Sequence, residues 1–231
     1  RDPAAEVLPC SHMCGRFAVF ASAEELAQVL RCPGLAAFRV ERRFNIAPGQ
    51  WVIIVRPEHD QRVPTLARWG LVPSWSKDPE GGPKPINARA EGINSKPTFR
   101  GALRHGRCLI PASGFFEWKT IGKTKTPFFI RPAGGGIFVF AGLVDHWSGP
   151  DGELTSCTII TTEANRLMQP IHDRMPVILD ADGVDAWLDP DNRHPEELLT
   201  PYSPDAMETW QVGSAVGNPR NDSPELVEPV T

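Results

Sequence analysis

Between residues 107 and 161 the chain runs as a series of short apolar stretches cut by turn residues, a pattern that commits this half to β-structure. The runs at 107–110, 115–118, 127–131, 136–144 and 154–161 are rich in aromatic and β-branched residues. Each is too short for a buried helix and is flanked by Gly or Pro, which reads as strand. Gly134-Gly135-Gly136 and the 148–152 segment are expected to be hairpin connections. Upstream, the WVIIV run at 51–55 predicts a buried strand, with 65–71 pairing against it, and 176–179 predicts another. Helical signals are few. Ser22-Ala23-Glu24-Glu25 is a capping box that starts a helix over 23–30, ending before Cys32-Pro33. Residues 98–105 fit a short helix, and acidic helices are expected near 182–187 and 195–200. The Pro-, Gly- and Ser-rich stretch 73–85 predicts an exposed loop carrying Trp75. Neither an internal repeat nor a separating linker is visible. The expected fold is α+β: a single β-rich domain, with a mixed, strongly curved sheet or barrel-like core and short peripheral helices.

An apolar content of 41% suffices for such a core. No apolar run approaches the roughly 20 residues of a membrane span, and no signal peptide follows Met13. The five cysteines, Cys10, Cys14, Cys32, Cys108 and Cys157, show no CxxC pair, which argues against zinc and against a disulfide framework. These features predict a monomer without metal or cofactor, not secreted: cytoplasmic and nucleoid-associated in a bacterium, nuclear in a eukaryote. The net charge of −4 hides an asymmetry. Residues 1–162 carry 20 Lys+Arg against 14 Asp+Glu, whereas 163–231 carry 4 against 14. The densest basic stretch holds Lys84, Arg89, Lys96, Arg100, Arg104 and Arg107 against Glu91 alone. It reads either as a face for a short stretch of nucleic acid or as an ordinary solvated helix face.

The residue with the most distinctive chemistry is Cys14. Ser11-His12-Met13 looks like a cloning remnant, so residues 1–12 are read as an appended or unstructured leader and 13–231 as the domain. If Met13 initiates the native chain, the small Cys14 permits its removal. Cys14 then carries a free amine and a thiol on adjacent carbons. The amine forms an imine with an aldehyde and the thiol closes a five-membered thiazolidine, a reaction closed to any internal cysteine. The plain alternative is a small buried cysteine beginning a strand.

Other polar residues stand where bland ones are expected. Glu117 lies between aromatics on a strand, where desolvation would raise its pKa toward that of a general acid/base; otherwise it is an outward-facing glutamate. His172, beside Asp173 and Arg174, could shuttle protons or bind a phosphate, or simply sit on a surface turn. Asn87 and Arg89 alternate on an extended segment and so face the same way. That arrangement suits an amide that orients a substrate and a guanidinium that grips phosphate, although a salt-bridged arginine is the commoner use. Trp75 suits stacking on an unpaired base, while Trp69 reads as core. Pro48, in an Ala-Pro-Gly turn, is a wedge against a base step or a plain turn proline.

Taken in order, Met13-Cys14-Gly15-Arg16-Phe17, Asn45-Ile46-Ala47-Pro48-Gly49, Trp69 to Trp75, Asn87-Ala88-Arg89-Ala90-Glu91, Phe115-Phe116-Glu117-Trp118 and His172-Asp173-Arg174 resemble the abasic-site processing proteins. These are also called SOS response-associated peptidases, and the resemblance runs from Met13 to Val230. It implies a thiazolidine crosslink between a processed N-terminal cysteine and the ring-opened sugar of an abasic site in single-stranded DNA, shielding the lesion. It implies Cys14 as the crosslinking residue, Asn87 as its orienter, Glu117 as acid/base and His172 near the reacting sugar. Arg16, Asn45, Pro48, Trp75, Arg89, Thr161 and Arg174 correspond to DNA-binding positions. The partners implied are single-stranded DNA and single–double junctions, with strand cleavage by β-elimination and self-processing as side activities. Two alternatives stand beside this reading: a thiol peptidase acting on itself or other chains, and a non-covalent single-stranded nucleic-acid binder. One departure matters. With residues 1–13 attached, the Cys14 nitrogen is an amide and cannot form an imine.

Overall fold

Alternation along the strands decides which side chains share a core, and strand register decides which strands meet. The computed structural model describes residues 14–59, 61–150 and 152–230. The expectations for the leader, for Met13 and for Cys10 lie outside them. In chain order the strands are β1 (Arg16–Val19), β2 (Arg43–Ile46), β3 (Trp51–Glu58), β4 (Gln61–Trp69), β5 (Asn87–Arg89), β6 (Arg107–Ala112), β7 (Gly114–Ile121), β8 (Thr124–Pro132), β9 (Phe138–Gly149), β10 (Gly152–Glu163), β11 (Arg174–Pro176) and β12 (Met207–Gln211). The helices are α1 (Ala23–Val29), α2 (Pro97–His105) and α3 (Ala181–Leu188). None of the described helices is long and apolar enough to cross a membrane.

Strands β10, β4, β3, β6 and β9 follow one another, and β9 pairs back onto β10, so this sheet closes into a five-stranded barrel. Closure removes the unpaired edges that an open sheet would expose. The β9–β10 hairpin holds register from Gly149↔Gly152 to Gly142↔Ile159. Gly142 is needed there, because a Cβ would come within 2.7 Å of Ile110 Cδ1. Beyond the hairpin, β10 carries β5 on one edge and β11 on the other, so that Thr161 pairs with both Arg89 and Pro176.

A second, antiparallel sheet, in the order β12-β8-β7-β1-β2, lies against the barrel. Phe17 meets Trp69 edge-on at 5.1 Å, and Phe115 meets Phe140 at 6.0 Å. On the opposite face Phe116, Phe129, Val212, Val216 and Leu226 make a smaller core. Each fully buried large side chain contributes about 1.5–3 kcal/mol. Because side chains alternate, Phe115 and Glu117 face the barrel while Phe116 faces away. That alternation is what buries Glu117.

The capping box forms as read: Ser22 accepts from the Glu25 N–H at 3.2 Å, and Glu25 accepts from the Ser22 N–H at 2.7 Å. The strand pattern over 107–161 holds, and Trp69 is core at 1% exposure. Three expectations need correction. Gly134–Gly136 is not a hairpin turn, since β8 belongs to the second sheet and β9 to the barrel. The strand expected over 176–179 is centred earlier, on Arg174–Pro176, with only an isolated bridge between Ile178 and Phe140 beyond it. Residues Pro195–Leu198 form a 3-10 turn rather than an α-helix, started by a proline. Strands β1, β2 and β12 escaped the sequence reading, being four or five residues long with no alternation sharp enough to stand alone.

Candidate active site

Antiparallel pairing of Arg16 with Phe116 runs the chain before β1 alongside Glu117. The Cys14 main-chain nitrogen donates to Glu117 Oε1 at 2.5 Å. Both residues are buried, Cys14 at 3% and Glu117 at 2% exposure. Burial pushes the Glu117 carboxyl above its usual range, while positive charge at His172 and hydrogen bonding from Cys14 pull it back. The Cys14 thiol lies well above the ordinary thiol range, chiefly through burial and then through the adjacent Glu117 charge, with Arg174 opposing. The thiol is therefore held protonated, and Glu117 is the group placed to accept its proton. Cys14 also adopts a left-handed backbone, with φ of 43°. For a non-glycine residue that costs about 1–2 kcal/mol.

His172 and Arg174 enter from the β11 side. His172 Nδ1 accepts from the Arg174 main-chain N–H at 3.0 Å and lies 3.0 Å from the Asp173 carboxylate. Without a hydrogen this nitrogen accepts from Arg174, and with one it would donate to Asp173. Arg174 is buried at 9% exposure. It grips Glu91 through two parallel contacts of 2.5 and 2.8 Å and donates to the Thr161 carbonyl at 2.7 Å. In this arrangement its guanidinium is committed inside the protein. Glu91 had no role in the sequence reading; it lies in the turn that follows β5, beyond the reach of strand alternation. Thr161 is fully buried, so a direct contact with DNA would require neighbours to move.

Arg89, Pro48 and Trp75 are exposed, with Trp75 at 65%, and Asn87 is half-buried on β5. Of these, β5 carries Asn87 and Arg89 alongside Thr161 of β10. Arg16 and Asn45 hold the C-terminal segment. Arg16 donates to Asn45 Oδ1 at 2.9 Å and to the Val216 carbonyl at 2.6 Å. Asn45, 1% exposed, spreads its amide N–H groups over the carbonyls of Val216, Asn218 and Asn221. The pair clamps the C-terminal segment, and a direct contact of Asn45 with DNA would need that segment to move away. Asn45→Ala is expected to cost about 1–3 kcal/mol by leaving these acceptors unmet. Hydrogen exchange should show the 214–221 segment losing protection before the barrel does.

The basic stretch also divides. Arg107 is buried and caps helix ends, donating to the carbonyls of Leu103 at 3.0 Å, Trp187 at 2.6 Å and Asp189. Lys84 is paired with Glu80 at 3.0 Å. Arg89, Lys96, Arg100 and Arg104 remain at the surface.

The site is defined by a closed β-barrel against which a buried carboxyl group, Glu117, accepts from the main-chain nitrogen of Cys14. The sequence model of the SOS response associated peptidase (SRAP) family matches residues 13–219. The chain belongs to that family. It is 44% identical over 223 residues to the abasic site processing protein YoqW of Bacillus subtilis, covering 94% of this chain and 99% of that one. It is 32% identical over 234 residues to the abasic site processing protein YedK of Escherichia coli, covering 94% and 100%. A crystal structure of a protein from Bacteroides thetaiotaomicron superposes with a TM-score of 0.80 at 25% identity, covering 94% of this chain and all of that one.

Proposed function

We propose that this protein recognises abasic sites in DNA and, once Cys14 is the first residue, crosslinks to them covalently as a single-turnover reaction. The observation that carries the reading is the 2.5 Å contact between the Cys14 nitrogen and Glu117. The names of the relatives supply the lesion, and the two groups on Cys14 supply the chemistry. An abasic deoxyribose is largely a closed hemiacetal. Glu117, with a carboxyl raised toward working pH, can donate and retrieve the proton that opens it. The freed α-amine, with an intrinsic pKa of about 7.7–8.0, attacks C1′. Water leaves and an imine forms. The Cys14 sulfur then adds to the imine carbon while its proton passes through Glu117 to the nitrogen, closing the ring. The sum is one carbon–nitrogen bond, one carbon–sulfur bond and one water released. Strand cleavage by β-elimination is open to the same imine before the ring closes.

Release of the chain before Cys14 also removes the left-handed torsion there, so processing relieves strain at the reacting residue. A thiol peptidase acting on other chains fits less well. Its nucleophile would be a thiolate, and this thiol is held protonated, while Nδ1 of His172 is occupied by Arg174 and Asp173. A purely non-covalent binder has no use for a buried carboxyl on the Cys14 nitrogen. Exposed Pro48, Trp75 and Arg89 suit a monomer working on single strands and single–double junctions.

Intact-mass measurement tests the reading. Protein beginning at Cys14, mixed with an abasic single strand, should yield a species one water lighter than the sum of the two. A species of the full summed mass, or none at all, counts against condensation, and loss of the lighter species on heating counts against ring closure, since imine and thiazolidine have equal mass.

A further inference from the structure

Six residues along β10 from Thr161 lies a second feature that the lesion chemistry does not use. It is an open groove of about 980 Å³, walled by Arg100 and Arg104 of α2, Arg56 of β3, His146 of β9 and the loop carrying Trp75. Helix α2 buries Phe99, Ala102 and Leu103 and has no acidic residue. With Lys96 as its N-cap, its exposed side carries cations at spacings of four, which align along one face. Arg100 and Arg104 are exposed and make no ion pair with any described residue. Arg56 is half engaged by Glu58 at 3.0 Å.

Trp75 stands at the groove with its neighbours pinned on both sides. The Ser74 N–H donates to Asp145 Oδ2 at 2.9 Å, and Trp147 Nε1 donates to the Ser76 carbonyl at 2.8 Å. The Asp145 carboxylate, the one acidic group lining the groove among the described residues, also accepts from the His146 N–H at 2.9 Å. The loop is fixed while the Trp75 ring stays 65% exposed, which gives a stacking surface that need not be ordered on binding. Strand β10 measures the separation: Thr155 lines the groove, and Thr161 lies under Arg174. Six residues of strand span about 20 Å.

We propose that this groove is a second nucleic-acid subsite, which takes the phosphate backbone of the bound DNA as it leaves the lesion past Trp75. The inference rests on the proposed function, and it adds a length requirement to it. At about 3.4 Å per nucleotide of a helical strand, the track corresponds to roughly six phosphates.

The test compares protein beginning at Cys14 with its Arg100→Glu/Arg104→Glu variant, and with Arg100→Gln/Arg104→Gln as a milder control on folding. Each is mixed with abasic strands carrying either two or about fifteen nucleotides on each side of the lesion, and with undamaged strands of both lengths. Wild type should bind the long strands at least tenfold more tightly than the short ones. The Glu variant should lose that preference and the Gln variant part of it, while adduct formation on the short strand is unchanged in both. The slope of log affinity against log salt on long strands should fall by about 1.4 in the Gln variant, as two phosphate contacts disappear. Equal affinity and salt slope for wild type and both variants on long strands would overturn the groove. Displacement of long DNA by polyglutamate at matched charge would overturn it too, marking an unselective anion patch. The two readings fail separately. Adducts without length dependence sink only the groove, and length-dependent binding of undamaged strands without adducts sinks only the crosslink.

Discussion

Cys14→Ala protein, processed to begin at residue 14, is expected to give no heat-stable adduct with abasic single-stranded DNA, a drop to background. The amine remains, so an imine should still form. It should be reversible on heating, trapped by borohydride and accompanied by more strand cleavage, because no sulfur captures the imine carbon. Protein with residues 1–13 attached should fail differently. Its Cys14 nitrogen is an amide whose lone pair is delocalised into the carbonyl, so neither an imine nor a borohydride-trapped product should appear. Denaturing gels separate these three outcomes. Equal crosslinking by the leader-bearing form, with its leader intact by mass, would sink the assignment of the Cys14 amine.

Glu117→Gln should slow the crosslink by roughly 10²–10⁴, the usual contribution of a positioned general acid/base, with DNA affinity nearly unchanged. The same substitution carries a stability signature in the leader-bearing form. Burial raises the folded-state pKa of Glu117 above its unfolded value. The stability this contributes is complete below the unfolded pKa and is lost as pH rises through the folded pKa. Wild type is therefore weakened at neutral and alkaline pH by a desolvated carboxylate, and glutamine escapes that loss. The Tm of Glu117→Gln should exceed that of wild type at pH 8, with the gap closing toward pH 4. A gap that is flat with pH, together with an unchanged crosslinking rate, would make Glu117 a packing residue.

Much of this was legible from short-range patterns. The Ser22 capping box and the β9–β10 hairpin depend on residues close in sequence, and they form as read. Glu117 could be picked out for the same reason, since flanking aromatics on an alternating strand announce a desolvated carboxyl. The misreadings share the opposite cause. Gly134–Gly136 has the composition of a hairpin turn, but the strands on either side join different sheets. The hold of Asn45 and Arg16 on the C-terminal segment, about 170 to 200 positions away, was for the same reason not legible, without bearing on their expected contact with DNA. Arg107 belonged by composition to a basic face, yet it points inward to cap two helices.

The residues themselves determined the chemistry on offer: a thiol beside the main-chain nitrogen of Cys14, a carboxyl shielded by aromatics, a turn histidine, and arginines enough to meet phosphate. They also determined a strand-rich chain, because turn residues and apolar alternation act within a few positions. Only the tertiary structure decided that Glu117 meets the Cys14 nitrogen across 103 positions, that Arg174 turns inward to Glu91, and that four cations of the basic stretch stay at the surface. Those outcomes follow from barrel closure and strand register. Both are selected by the packing of side chains far apart in sequence, and local propensity carries no record of them.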